Sequence, residues 1–248
     1  MTALLPLALM GPFTSAYAQS DVFGKSIILG LVFLSLLCWI LLLYKIWLTR
    51  HVKRISAIFY QAYRKNKEDL LRVEIADLPS PKHPKVPHPF GEIFLTLKSK
   101  TCEILNKNLY FAQKEKGQVH LSPADLEMIE TCTLTTLSSQ IKGLEKNLFI
   151  LSTIVTLAPF LGLLGTVWGI LLTFSELQTG ASIGSNSAIL GGLSTALVTT
   201  VLGLVIAIPA LISYNYLKTT IKDYASDMED FLYDLLSTVE LQYRKADI

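Results

Sequence analysis

The chain has 248 residues, of which 51% are hydrophobic and only 17% are charged, and its mean hydropathy is +0.44. A soluble domain usually carries charge on about a quarter of its residues, so this composition argues against a soluble protein and for a membrane protein. The net charge of +2 gives no reason to expect a nucleic-acid partner. The three cysteines form no CxxC pair and the four histidines lie outside the apolar stretches, so we expect no disulfide framework, no metal site and no cofactor.

The N-terminal segment, residues 1–21, allows two interpretations. The letters LLPLALM followed by AYAQS resemble the apolar core and A-x-A cleavage site of a signal peptide, but a basic start is missing. Residues 1–18 are therefore either a cleaved leader or part of a short segment that stays outside the membrane.

Three apolar stretches then predict three transmembrane helices, at residues 22–46, 148–176 and 188–217. Residues 26–44 of the first carry no charge, and at about 1.5 Å per residue they nearly match the ~30 Å hydrocarbon core. Trp39, Tyr44 and Trp47 stand towards its end, where aromatic rings suit the interface. The second and third stretches exceed the minimum length, so we expect tilt or extension beyond the bilayer.

The basic residues predict the orientation of these helices. Lys45, Arg50, Lys53 and Arg54 follow the first stretch, whereas the loop 177–187 has no Lys or Arg. Because Lys and Arg accumulate on the cytoplasmic side, we expect a periplasmic N-terminus and loop 177–187. Residues 47–147 and the tail, residues 218–248, should be cytoplasmic.

The first cytoplasmic region is predicted to be helical apart from a linker. The helix after the first span should reach about Ala76, and five prolines within residues 79–89 then indicate an extended connector. Helical periodicity returns at residues 90–116. Ser122, Pro123 and Asp125 form a strong helix start, and we expect one uninterrupted helix over residues 123–176.

The tail is predicted to form an amphipathic helix that continues the third span. Its apolar residues recur at helical spacing, with acids on the opposite side. Packing on the other cytoplasmic helices is one interpretation and binding to the membrane surface is the other. The acids favour packing, because anionic headgroups repel them.

The second and third spans are rich in glycine and threonine, whereas the first is made of bulky apolar residues. Small residues let helices approach closely, and hydroxyls bond between helices or line a wet path. No Asp, Glu, His, Lys or Arg lies deep in any span, although a proton relay normally needs an ionisable group within the membrane. A carboxylate for proton conduction would therefore come from another chain. No P-loop, nucleophile elbow or HExxH motif is present, so we expect no catalytic residues and no enzyme.

Two segments carry a family resemblance. APFLGLLGTVWGI at residues 158–170 and TALVTTVLGLVIAIPALISYNYL at residues 195–217 strongly resemble the ExbB/TolQ branch of the MotA/TolQ/ExbB proton-channel family. Flagellar MotA relatives usually have four spans, so that branch fits less well. The resemblance implies an all-α, three-span protein of the bacterial inner membrane. It also implies a homo-oligomer, a pentamer, around an ExbD/TolR-like dimer of single-span chains that contributes a membrane aspartate.

The resemblance also implies roles for particular residues. Thr166 and Thr200 match pore-lining threonines, and Pro159 and Pro209 match prolines that kink or loosen the helices. Thr199, next to Thr200, and Thr173, on the same helix face as Thr166, complete the set that we expect to line the pore: Thr166, Thr200, Thr199 and Thr173. The residues expected in helix packing or partner contact are Pro159, Gly162, Gly165, Gly169, Thr195, Gly203, Ala207 and Pro209.

One position departs from the family pattern, because Thr195 stands where many relatives have glutamate. The expected function is a proton-channel subunit that drives a TonB- or TolA-like protein, for envelope maintenance or outer-membrane import. The alternative from another class is a structural membrane scaffold, whose small residues serve only packing. A solute transporter fits poorly, because no inverted repeat is evident.

Overall fold

The computed structural model describes residues 14, 16–18, 20–65, 86–115, 120–178 and 186–243. Within these ranges the chain forms five long helices and no strand: α1 (Val22–Lys65), α2 (Pro89–Glu115), α3 (Pro123–Glu145), α4 (Leu148–Gln178) and α5 (Asn186–Tyr243). The all-α prediction is confirmed. Three stretches, Val22–Lys65, Pro123–Ser175 and Gly192–Tyr243, are long and apolar enough to cross a membrane.

The prediction of one continuous helix over residues 123–176 is wrong, because the helix is interrupted at Lys146 and Asn147, between α3 and α4. Asn147 has a φ of 68°, in the left-handed region that asparagine tolerates better than most residues. The amide of Lys146 still donates to the carbonyl of Lys142 at 3.0 Å, which completes the last turn of α3. Lys45 is 3% exposed, and its ammonium donates to the carbonyl of Leu144 at 2.8 Å. Two carbonyls in the last turn of α3, those of Lys142 and Leu144, are therefore satisfied although the helix does not continue.

The chain divides into two compact units, and the first comprises Met1–Tyr44 and Asn147–Tyr216. Its described part contains the start of α1, all of α4 and the start of α5. Leu31, Leu151 and Ala196 are fully buried in it, whereas Phe33, Phe160 and Val205 are exposed. Each helix therefore has one face packed within the chain and one face left for lipid or another protein.

The second unit comprises Lys45–Lys146 and Leu217–Ile248. Its core is a cluster of aromatic rings in which Phe59 meets Phe94 and Phe231 edge-on, at centroid distances of 6.0 and 6.2 Å. Two hydroxyl pairs lie beside the rings: Ser56 with Tyr224 at 2.5 Å, and Tyr63 with Thr238 at 3.2 Å. These bonds satisfy polar groups that would otherwise be buried without partners.

The predicted apolar stripe of the tail is buried in this second unit. The stripe residues are all 2% exposed or less: Ile221, Tyr224, Met228, Phe231, Leu232, Leu235 and Val239. The prediction that the tail packs on other helices is confirmed, because a buried stripe is not available to a membrane surface.

The predicted start of α3 is also confirmed. Ser122 caps the helix, its hydroxyl accepts from the amide of Asp125, and the Asp125 carboxylate accepts from the amide of Ser122. The linker at residues 79–89 lies mostly outside the described residues, and so does the predicted helical stretch beyond Lys65. Only the end of the linker is described, and its last residue, Pro89, begins α2.

Candidate functional site

Helices α4 and α5 approach each other closely within the first unit, and glycines make this approach possible. A Cβ atom built on Gly203 would lie 2.5 Å from the carbonyl oxygen of Ala158. A Cβ on Gly162 would lie 2.9 Å from the carbonyl oxygen of Thr199, and one on Gly169 would lie 2.8 Å from the Cβ of Ala196. Real Cβ contacts are essentially never this short. The two backbones therefore touch at positions that only glycine fits.

Two threonine hydroxyls meet where the two helices touch. The hydroxyls of Thr166 and Thr200 are hydrogen-bonded to each other. Thr200 also reaches the carbonyl of Gly162 at 3.1 Å, and Thr166 reaches the carbonyl of Ala196 at 3.1 Å. A hydroxyl has one proton but can rotate to either acceptor. The pair therefore offers a small polar patch with exchangeable hydrogen bonds inside an otherwise apolar layer.

The neighbouring hydroxyl of Thr199 faces a different environment. Thr199 is 1% exposed, and its hydroxyl donates to the carbonyl of Ala196 at 2.8 Å or Gly162 at 3.2 Å. Its side chain fills the space beside Gly165, where any added Cβ would collide with it. Thr166 and Thr200, in contrast, are only partly buried. This geometry suits Thr199 to packing rather than to lining a surface.

The remaining pore candidate, Thr173, is separate from this cluster. Its hydroxyl donates to the carbonyl of Gly169, one turn earlier on the same helix, at 2.8 Å. On the α5 side it faces Gly192, where an added Cβ would lie 2.7 Å from the Thr173 oxygen. Thr173 therefore belongs to the same helix contact but not to the hydrogen-bonded group around Thr166.

The other predicted packing residues are distributed along the same two helices. Pro159 and Pro209 lie within α4 and α5 without ending them, and Ala207 is buried on α5. Thr195 is buried, and its hydroxyl donates to the carbonyl of Ala16 at 3.2 Å. In this chain Thr195 therefore connects α5 to the N-terminal segment.

A second polar contact, between Asp21 and Trp168, was not predicted from the sequence. Asp21 precedes α1 and accepts from the amides of Phe23 and Gly24 at 3.2 and 2.9 Å, so it caps the helix. The indole N–H of Trp168, in the GTVWG segment, donates to the same carboxylate at 3.1 Å. The rings of Phe23 and Trp168 also pack, with centroids 4.5 Å apart. The cap was readable from the sequence, since an aspartate precedes the apolar stretch, but its distant partner was not.

The site contains hydroxyls and carbonyls but no charged group. No ionisable side chain lies between Leu148 and Ser175 or between Gly192 and Leu217 except the tyrosines Tyr214 and Tyr216. Among the described residues, no group of three His, Cys, Asp or Glu side chains is placed to hold a metal ion. The α4–α5 contact can accept, donate and relay hydrogen bonds, but on its own it has no carboxylate to carry a proton.

Three membrane-length helices, two of them joined by a glycine-packed contact that carries hydroxyls, define a multi-pass α-helical membrane protein. The chain belongs to the MotA/TolQ/ExbB proton channel family, whose model matches residues 103–230, and within it to the ExbB/TolQ branch. The predicted family is thus confirmed.

Individual relatives agree with this assignment. The chain is 43% identical over 88 residues to the biopolymer transport protein ExbB of Aquifex aeolicus, in an alignment that covers 36% of this chain and 59% of that protein. It is 32% identical over 106 residues to the Tol-Pal system protein TolQ of Haemophilus influenzae, and this alignment covers 43% of this chain and 46% of that protein. It is 29% identical over 219 residues to the biopolymer transport protein ExbB of Pseudomonas putida, and this alignment covers 86% of this chain and 59% of that protein. The chain thus spans about half the length of the relatives it matches.

Proposed function

We propose that this chain is a subunit of an inner-membrane proton channel that works with an ExbD/TolR-like single-span partner. The observation that carries the proposal is the bonded pair of Thr166 and Thr200 hydroxyls in two apolar stretches, residues 148–175 and 192–217, that contain no carboxylate. Such a pair can relay a proton only if a neighbouring chain supplies the ionisable group. The relatives' names, which include both ExbB and TolQ, support the same class of partner.

In this proposal several copies of the chain, five by family resemblance, surround the partner's membrane helices and its aspartate. The partly exposed sides of Thr166 and Thr200 face that aspartate across a shared interface. One charge crossing 100 mV releases about 2.3 kcal/mol, so a few protons can drive a change in the position or orientation of the partner within the oligomer. A TonB- or TolA-like protein would transmit this change to the outer envelope.

The proposed orientation places the N-terminus and loop 177–187 in the periplasm, and the second unit and the tail in the cytoplasm. It is supported by the basic residues that follow α1 and by their absence from that loop. Cysteine labelling from each side of intact cells tests it. Labelling of a cysteine in loop 177–187 only after the inner membrane is opened would contradict it.

The test of the hydroxyl pair is proton uptake into vesicles that contain both proteins. We expect Thr166→Val and Thr200→Val, which keep the shape but remove the hydroxyl, to reduce uptake at least tenfold. Thr153→Val is the matched control, because the Thr153 hydroxyl is exposed and donates only to the carbonyl of Phe149, at 2.9 Å, in its own helix. Full uptake by both valine variants, with assembly intact, would remove the pair from the proton route.

A structural scaffold is the second candidate, and one observation favours it. Every hydroxyl of the cluster finds a partner within this single chain, as expected of residues that only pack helices. The scaffold predicts no uptake with any partner and no dependence on membrane potential. The same vesicle experiment therefore separates the two candidates.

A further inference from the structure

The second unit contains a cleft that the α4–α5 site does not involve. Its cavity volume is about 450 Å³, which is in the size range of sites that bind small groups. Aromatic side chains and two carboxylates line it: Tyr60, Phe90, Tyr224, Asp227, Asp230 and Phe231. These residues come from α1, α2 and α5, which the packing of the second unit brings together.

The aromatic walls of the cleft are held rigidly. Phe90 stacks on Phe231 at 4.5 Å with 3° between the ring planes, and on Tyr224 at 5.9 Å with 6°. Tyr60 meets Phe231 edge-on at 5.8 Å. Phe90, Tyr224 and Phe231 are each 5% exposed or less. A ligand therefore enters a pre-formed cleft and does not have to order its walls.

The charges around the cleft favour a cation. Asp227 and Asp230 stand three residues apart on α5, on the same side of the helix, and both are exposed. One basic residue, Lys53, also lines the cleft, with its ammonium 5.8 Å from the centre of the Tyr224 ring. Two carboxylates and one ammonium leave the cleft with a net negative charge. A positively charged side chain bound in the cleft would neutralise this charge.

We propose that this cleft binds an arginine or lysine from the cytoplasmic flank of the single-span partner. This inference rests on the proposed function, including the cytoplasmic location of the second unit. A single-span membrane protein retains Lys and Arg next to the cytoplasmic end of its helix, so its flank has the charge that the cleft lacks. The aliphatic stem packs along the aromatic walls while the head group pairs with Asp227 and Asp230.

The first experiment measures binding of a synthetic peptide to the full chain in detergent micelles at low ionic strength. The probe is a labelled twelve-residue peptide with three arginines, and its partner peptide carries neutral citrulline at the same positions. We expect the arginine peptide to bind at least about tenfold more tightly, and Asp227→Asn with Asp230→Asn to remove most of that difference.

Glu229→Gln is the matched control, because it removes one negative charge from the same turn of α5 without altering the cleft lining. Its peptide affinity should stay within about twofold of the original chain. Equal weakening by Glu229→Gln and the aspartate variants would show attraction to the general surface and would overturn the proposal. Unchanged binding by the aspartate variants would also overturn it.

The second experiment identifies the occupant in the assembled complex. A photocrosslinker is attached at Ala57→Cys, which lines the cleft, or at Ile58→Cys, the exposed neighbour that does not. The three native cysteines are replaced first. We expect Ala57→Cys to crosslink to the cytoplasmic flank of the co-purified single-span partner, and the crosslink to disappear when the flank's Lys and Arg become Gln.

The outcomes separate this inference from the proposed function. A complex that conducts protons but shows no flank crosslink, or that crosslinks to lipid or to a second copy of this chain, overturns the cleft proposal and leaves the channel proposal standing. A chain that assembles with no single-span protein and shows no proton uptake overturns both.

Discussion

Replacing Gly203 by alanine tests whether the two membrane helices touch as closely as the structure shows. The new methyl group would lie 2.5 Å from the carbonyl oxygen of Ala158, a backbone atom that cannot rotate away. Restoring an ordinary contact requires the backbones to separate by about 0.9 Å near this point. The 3.1 Å bond from Thr200 to the carbonyl of Gly162 would then exceed hydrogen-bond length.

The expected cost follows from these changes. Overpacking of a close contact costs about 1–3 kcal/mol, and each interhelical hydrogen bond lost in a membrane protein costs about 0.6 kcal/mol. Alanine offsets about 1 kcal/mol of this cost through its higher helix propensity, so we expect a net loss of about 0.6–2.6 kcal/mol. Thermal unfolding of the purified protein in detergent, followed by circular dichroism, should show a melting temperature lower by about 1–10 °C.

Gly30→Ala is the matched control on α1. An added Cβ at Gly30 meets nothing within 4 Å, so this variant should unfold at the original temperature or slightly above it. Close helix contact at Gly203 would be refuted if the Gly203→Ala protein had the melting temperature of the original protein. It would also be refuted if Gly30→Ala lowered the melting temperature by the same amount as Gly203→Ala.

Three further predictions concern other contacts in the structure. Asn147 has a positive φ, so Asn147→Ala should lower the free energy of unfolding by about 1–2 kcal/mol while Asn147→Gly leaves it nearly unchanged; equal effects in denaturant melts would contradict this. Burial lowers the pKa of His88 below 6.5, and neither ring nitrogen has a hydrogen-bond partner. The unfolded chain therefore binds the extra proton more readily, so His88 contributes stability above pH 6.5 that is lost as the pH falls below it. His88→Phe should flatten this part of the pH profile, and an unchanged profile would exclude His88 as its source. A double-mutant cycle of Asp21→Asn and Trp168→Phe should give a coupling of about 0.5–1.5 kcal/mol in unfolding; strictly additive effects would mean that the contact contributes nothing.

The features that were predicted from the sequence are those that depend on local composition and on the spacing of apolar residues. The three apolar stretches, the Ser122 start of α3 and the buried stripe of the tail followed from hydropathy, capping and 3.6-residue spacing, which are local properties. Family membership was also readable, because the glycine and threonine segments of the second and third spans are distinctive.

The features that were not predicted depend on single residues or on distant pairs. The turn at Asn147 is set by one residue in a rare backbone conformation, inside a stretch with otherwise helical character. Thr199 is buried and Thr200 is only partly buried because adjacent residues point about 100° apart around a helix. Which of the two faces α4 depends on how α4 crosses α5. The Asp21–Trp168 contact joins residues far apart in the chain, and no spacing rule relates them.

In the proposed function, proton conduction by this chain requires a second polypeptide, and the decisive measurement is proton flux with and without that polypeptide. Vesicles containing this chain alone, energised by a potential of defined size, should take up protons no faster than empty vesicles. Vesicles that also contain the co-purified single-span partner should take them up at a rate that rises with the potential and falls when the partner's membrane aspartate becomes asparagine. Rapid uptake by this chain alone would contradict the account.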